Sequence, residues 1–207
     1  MASEFYKNFT HDILNITGRM QSAVSLLDPS DPPSTDDIAL VRKLIEQDSQ
    51  KLSQAMRLFC FGEWFKSAPP LQSEEVDTLL MLEEIIQQCQ TEQENPIVLQ
   101  KQDQPWVLKS DQNIVQPLLE ELIKNALVHR AENTKIQVHV HCQQRSIDII
   151  NIPITQLPNN CSSPLIKRAE SPGMGLGLSF AFQAAQYLGG HLEVMCENNL
   201  VITKLKF

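Results

Sequence analysis

The chain is short of basic charge, of paired cysteines and of long apolar runs, and each shortage closes off a class of function. Lys and Arg number 17 against 25 Asp and Glu, for a net charge of −8. No basic surface for nucleic acid is expected from that balance. No apolar run approaches the length that crosses a bilayer, and the N-terminus has no signal-like apolar stretch. The reading is a cytoplasmic protein with no membrane partner. The five cysteines (Cys60, Cys89, Cys142, Cys161, Cys196) are scattered and lack CxxC spacing. Reduced thiols are expected, not a metal site or a disulfide frame. Glycine is also scarce, and five of the seven fall between 173 and 190.

The first third of the chain is helical by period. Phe5, Phe9, Ile13, Ile16 and Met20 recur every three or four residues and predict a helix over about 3–27. On that helix His11 lies roughly 160° from Phe9 and Ile13, which places it at solvent. Asn15, one turn on, shares its face. "LDPSDPPSTDD" makes a turn, with a helix N-cap at Ser34 or Thr35. A second helix over about 36–65 follows, its seam formed by Ile38, Val41, Leu44, Ile45, Leu52, Ala55, Met56 and Phe59. Two helices alone cannot bury two such stripes. The expected solution is a second copy of the chain, giving a homodimeric four-helix bundle. Domains are expected at 1–66 and 67–207.

The remainder mixes element types. Helices are predicted over about 74–90, 111–129 and 174–188. Strands are predicted at "PIVLQ", "WVLKS", "KIQVHVHC", "SIDIINI", "HLEVMC" and "LVITKLKF". Residues 153–172 hold four prolines and read as a long loop. The fold class is therefore an α helical hairpin followed by an α/β sandwich.

Two stretches carry chemistry. "GMGLGLS" opens a helix directly after the proline-rich loop. Glycines there let backbone approach a ligand, and a helix N-terminus offers N–H groups to phosphate. A plain structural turn explains such a stretch about as well. In "EELIKNALVHR", Glu121, Asn125 and His129 are spaced four apart on one helix face. An asparagine oxygen can hold a magnesium ion that bridges phosphates, and a glutamate one turn earlier can order water or take a proton. The bland alternative is a solvated helix face. His139 and His141 lie two apart on one strand face with no third metal ligand evident, and an exposed strand face is expected. His191 is expected at a strand edge.

Together, "HDILN", "ELIKNALVH" and "GMGLGLSFAFQAAQYLGGHLEV" resemble, in order and spacing, the catalytic core of bacterial two-component histidine kinases. The resemblance runs from about residue 4 to 207. It implies a dimerising phospho-acceptor bundle with His11 as phospho-acceptor, and a Bergerat-type (GHKL) ATPase sandwich behind it. It also implies catalytic roles for Asp12 and Asn15. A nucleotide site would draw on Glu121, Asn125, His129, Asn151, Gly173, Gly175, Leu176 and Gly177, with Asn125 the magnesium ligand if ATP binds.

One departure counts against ATP. The family carries an Asp-x-Gly-x-Gly box after the strand that follows the N box. Here "IDIINIPITQLP" puts Asn151 at the aspartate position, lacks the glycines and has Pro153 in the turn. An amide cannot repeat a charged, acceptor-only contact to an exocyclic amine. With that loss the chain looks most like the ChpT-type histidine phosphotransferases, whose ATPase domain is degenerate. The resemblance then implies receiver domains of response regulators as partners, an upstream hybrid histidine kinase among the candidates, and magnesium supplied with the receiver or with ATP. Two other readings stand beside it: a sensor-less cytoplasmic kinase that autophosphorylates His11, and a non-catalytic scaffold that binds receivers. In the phosphotransferase reading Asn8, His11, Asn15, Gly18 and Ser22 form the docking stripe.

Overall fold

A computed structural model describes residues 2–27, 33–67, 70–91, 97–102, 104–154 and 176–207. The chain divides into two compact units, Met1–Glu63 and Trp64–Phe207.

The N-terminal unit is built from α1 (Ala2–Ser25) and the greater part of α2 (Thr35–Lys66). Ser34 is the N-cap of α2. Its Oγ accepts from Asp37 N at 3.1 Å, and Asp37 Oδ2 accepts from Ser34 N at 3.1 Å. This reciprocal pair satisfies two helix-end donors at once. Ile16 and Ala23 of α1 and Val41 and Ala55 of α2 are buried. Phe9 and Phe59 stack with ring centroids 4.4 Å apart. A charged tie joins the two helices: Arg19 Nη2 lies 2.8 Å from Asp48 Oδ1, whose side chain is only 8% exposed. The apolar surface is far from spent, because Leu14, Ile38, Leu40, Leu44 and Met56 all remain exposed.

The C-terminal unit orders its elements as β1 (Glu74–Asp77), α3 (Thr78–Thr91), β2 (Ile97–Lys101), β3 (Val107–Ser110), α4 (Gln112–His129), β4 (Ile136–His141), β5 (Ser146–Asn151), α5 (Leu176–Tyr187), β6 (His191–Glu197) and β7 (Leu200–Lys206). Five strands form a sheet in the order β2-β4-β5-β7-β6, with β2–β4 parallel and the other pairs antiparallel. Alternation along the strands gives the sheet two unlike faces. One is apolar and buried, through Ile136, Val138, Val140, Ile147, Ile149, Leu192, Val194 and Leu205. Helices α4 and α5 pack together, with α4 against β5 and α5 against β6. The other face carries Gln137, His139, His141, Asp148, Glu193 and Lys204.

Local chemistry accounts for the joints. Asp111 caps α4, accepting from Asn113 N at 3.0 Å through Oδ1 and from Gln72 N at 3.0 Å through Oδ2. Asn198 and Asn199 connect β6 to β7 with φ of 50° and 61°. Two left-handed residues in a row make the tight hairpin turn that asparagine tolerates best among residues with a Cβ.

Two sequence expectations are corrected. Glu74–Asp77 is a strand paired antiparallel with β3, not the start of α3. The acidic residues suggest a helix, but Val76 alone is buried between exposed neighbours, and Asp77 ends the strand by capping α3 through Leu80 N at 3.0 Å. The second correction concerns the thiols. Cys60, Cys89 and Cys142 are free, whereas Cys196 is disulfide-bonded. Sequence spacing does not reveal which cysteines a fold brings together. Of the expected loop at 153–172, only Pro153 and Ile154 lie within the described residues.

Candidate functional site

His11 sits in the middle of α1 and is exposed, as its helical phase requires. Asn15, one turn later, is exposed too, and its Nδ2 lies 3.1 Å from His11 Nδ1. The amide nitrogen can only donate, so in this arrangement Nδ1 accepts and Nε2 carries the ring proton. A half-turn of the amide presents Oδ1 to an Nδ1–H and leaves the Nε2 lone pair facing outward. Which end of an amide is which follows from its hydrogen bonds, so the two arrangements are neighbours. Gly18 has open space where a Cβ would stand, and Ser22 is exposed with its Oγ on Gly18 O at 2.9 Å. Asp12 is on α1, but its side chain and that of Asn8 lie outside the described residues.

In the C-terminal unit, Glu121, Asn125 and His129 are all half-buried on α4, above the buried Leu118, Leu122 and Ala126. Gly177, in the first turn of α5, touches this row. A methyl group there would overlap the Glu121 carboxylate, so only glycine lets α5 approach so closely without moving it. Leu176 opens α5, its side chain outside the description, and Gly173 and Gly175 lie outside the described residues altogether. Burial lowers the His129 pKa from its ordinary 6.5. At neutral pH its imidazole is therefore uncharged, and it offers a phosphate a hydrogen bond, not a cation.

Asn151 ends β5 on the helix-facing side of the sheet, 4% exposed, and among the described residues its Nδ2 has no hydrogen-bond partner. Beyond it the chain is stitched to the end of α4. Ala131 N donates to Ile152 O at 2.7 Å, Ile154 N donates to His129 O at 3.0 Å, and Arg130 bridges to Pro153. Asn151 and the α4 row are thus tied through the backbone. Thr203, on β7, is a second buried polar residue on the same face, a diagonal neighbour of Asn151. The sequence reading missed it, because only strand register brings these residues together.

On the opposite sheet face His139 stands across from Asp148, and His141 Nε2 lies 3.4 Å from Asp148 Oδ2. Both histidines are half-buried rather than exposed. Asp148 is thus an acidic neighbour of both, yet no cluster able to hold a metal ion occurs among the described residues. No helix among them is long and apolar enough to cross a membrane.

Residues 110–205 match the histidine kinase-, DNA gyrase B- and HSP90-like ATPase family. No curated protein matches the chain in sequence. Its structure is similar to the Acinetobacter baumannii histidine kinase AdeS, with a TM-score of 0.65 and 16% identity over 95% of this chain and 94% of that one. It is similar to full-length ShkA in complex with AMPPNP, with a TM-score of 0.66 and 14% identity, covering 98% of this chain and 45% of ShkA. It is also similar to a bacterial phosphotransferase, with a TM-score of 0.51 and 12% identity over 99% and 95% of the two chains. Identities this low speak for fold alone, and the fold is that of a histidine kinase catalytic core with an ATPase-type α/β sandwich at its C-terminal end.

Proposed function

We propose that the protein is a histidine phosphotransferase that carries phosphate on His11 between aspartates of receiver domains. The observation that supports this most is the exposed His11–Asn15 pair on a regular helix. Phosphoryl transfer asks for positioning and charge stabilisation, and the pair supplies the first. With the Asn15 oxygen holding Nδ1–H, the Nε2 lone pair attacks the phosphorus of an aspartyl phosphate in line. The new P–N bond forms as the P–O bond breaks, and the aspartate leaves as a carboxylate with the electron pair. A second receiver's aspartate reverses the step. The receiver supplies magnesium. Asn15 also suits orienting a water for dephosphorylation of a receiver. In this reading Asp12 supports the ring, and Gly18 and Ser22 extend the docking stripe.

The protein would act as a homodimer through residues 3–66, which supports covering Leu14, Ile38, Leu40 and Met56. Its upstream donor would be a receiver, with a hybrid histidine kinase a candidate source. A cytoplasmic location suits that chemistry.

A second reading, an autokinase, draws support from Asn125 and from the Gly177–Glu121 approach. Bound ATP would supply the phosphoryl group, Asn125 would hold its magnesium, and Glu121 would order water or take a proton. The Asn151 amide, buried and with no partner for its Nδ2 among the described residues, suits a nucleotide. It lacks the charge of a carboxylate, however, and Pro153 stands in the turn after it, so binding would be weak. This is why phosphotransfer is preferred.

The test is His11→Gln, which keeps size and polarity but removes the nucleophilic nitrogen. Acid-labile, alkali-stable phosphate is measured after mixing with a phosphorylated receiver. The variant should melt within about 0.5 kcal/mol of the wild type and take up no label. Label on His11→Gln would sink the proposal.

A further inference from the structure

Residues 13–25, the half of α1 that follows His11 and Asp12, contain a single charged residue, Arg19. It stands one turn beyond Asn15 and beside Gly18, so it borders the face that carries His11. Its Nη2 donates to Asp48 Oδ1 at 2.8 Å, and Lys51 Nζ lies 3.8 Å from the same oxygen. The carboxylate is 8% exposed, whereas the Arg19 and Lys51 side chains are 57% and 47% exposed. One buried anion thus holds two cations at the surface. A buried carboxylate needs a counter-charge, and Lys51 on its own helix is close enough to supply one. Arg19 adds a directed hydrogen bond. A guanidinium has five N–H donors. Asp48 takes one, and among the described residues the others have no partner.

We propose that this pair of cations reads an acidic side chain on the receiver that docks over His11, with Arg19 as the contact and Asp48 as the residue that positions it. This rests on the phosphotransfer reading above. Arg19 lies eight residues from His11, about 12 Å along the helix axis. That distance keeps it away from the reacting phosphorus and within the footprint of a docked domain, which covers about 800 Å² on each partner. Gly18 has open space where a Cβ would stand, so a partner's main chain comes close beside the guanidinium. The planar fork matches a carboxylate edge to edge. Because Asp48 already holds the side chain, little rotamer freedom is lost on binding. The rest of this half of α1 is uncharged, so a receiver without the acid finds no substitute there. A receiver with a basic residue at that place meets like charge.

Phosphate uptake at His11 from two donors tests this. One is a purified receiver domain charged with acetyl phosphate and varied in concentration. The other is phosphoramidate, a small donor that labels histidine directly and needs no docking. Arg19→Gln should lower kcat/KM for the receiver about tenfold, chiefly through KM, and leave phosphoramidate labelling within about twofold. Arg19→Lys keeps the charge and the tie but not the fork, and should fall between. Asp48→Asn should weaken receiver uptake with Arg19 untouched, and the double variant should lose less than the product of the two single losses. Wild-type uptake from the receiver should fall more steeply with added salt than uptake by Arg19→Gln. An unchanged kcat/KM in Arg19→Gln, an equal loss with both donors, or equal salt slopes would each overturn the proposal. If Arg19→Gln does not fold, Arg19→Lys and the wild-type salt slope still decide. A wild type that phosphoramidate labels and the receiver does not overturns phosphotransfer and this inference together. A wild type served by the receiver beside an equally active Arg19→Gln overturns this inference alone.

Discussion

Helices α1 and α4 are both amphipathic, yet they end differently. Along α4 the apolar residues Ile114, Val115, Leu118, Leu119, Leu122 and Ile123 are all buried within their own unit. Along α1 and α2 the seam is half used: Val41 and Ala55 are buried while Leu14 is 66% and Ile38 51% exposed. A helix set on a sheet finds a broad apolar floor, whereas a helix set on one other helix finds a strip. The C-terminal unit therefore carries its own core, and the N-terminal unit calls for another surface.

The strongest test of that contrast is one truncation in each region. Leu119→Ala should cost about 2–5 kcal/mol, as fully buried leucines do, in urea melts that do not depend on protein concentration. A loss under about 1 kcal/mol would mean α4 is less locked than its burial implies. Ile38→Glu with Met56→Glu should leave the C-terminal unit's melt untouched and convert a dimer to monomer in sedimentation at micromolar concentration. A wild type already monomeric there would break the contrast. A smaller effect is expected from Ser34→Ala, which removes one half of the α2 capping box and should cost about 1 kcal/mol. That loss should appear only in the helical unit's transition.

The smallest effect concerns His129. Burial lowers its pKa, so below about pH 6.5 the unfolded chain binds more protons than the folded one. Its contribution to stability is whole above that pH and is lost as pH falls toward the lowered value. His129→Gln should therefore flatten the drop in melting temperature between about pH 7 and pH 5.5. An unchanged slope would mean that this histidine keeps its proton equally well in both states.

Much of the helical unit was legible, because a helix repeats its instructions every turn. The period placed His11 and Asn15 on one outward face, and the start of α2 was expected from a cap at Ser34 or Thr35, of which the structure uses Ser34. Strand assignments held where alternation was clear, as in "KIQVHVHC". Glu74–Asp77 was misread because a four-residue strand carries a single buried side chain and no period. Asn151 was legible as a departure from a motif. That its Nδ2 has no partner among the described residues, or that Thr203 lies diagonal to it, was not, since both depend on registers between distant strands. The disulfide at Cys196 was hidden because cysteine spacing does not say which thiols a fold brings together.

The turn at Asn198–Asn199 also has a consequence for how the sheet is assembled. Two residues separate β6 from β7, so closing that hairpin sacrifices little chain entropy. The parallel pair β2–β4 can form only after β3 and α4 have been threaded between them, which makes it a late event in a fold of mixed contact order. Pulse-labelled hydrogen exchange should find the β6–β7 amides protected before those of β2, and the reverse order would contradict this. The C-terminal edge of the sheet is then the seed of the fold.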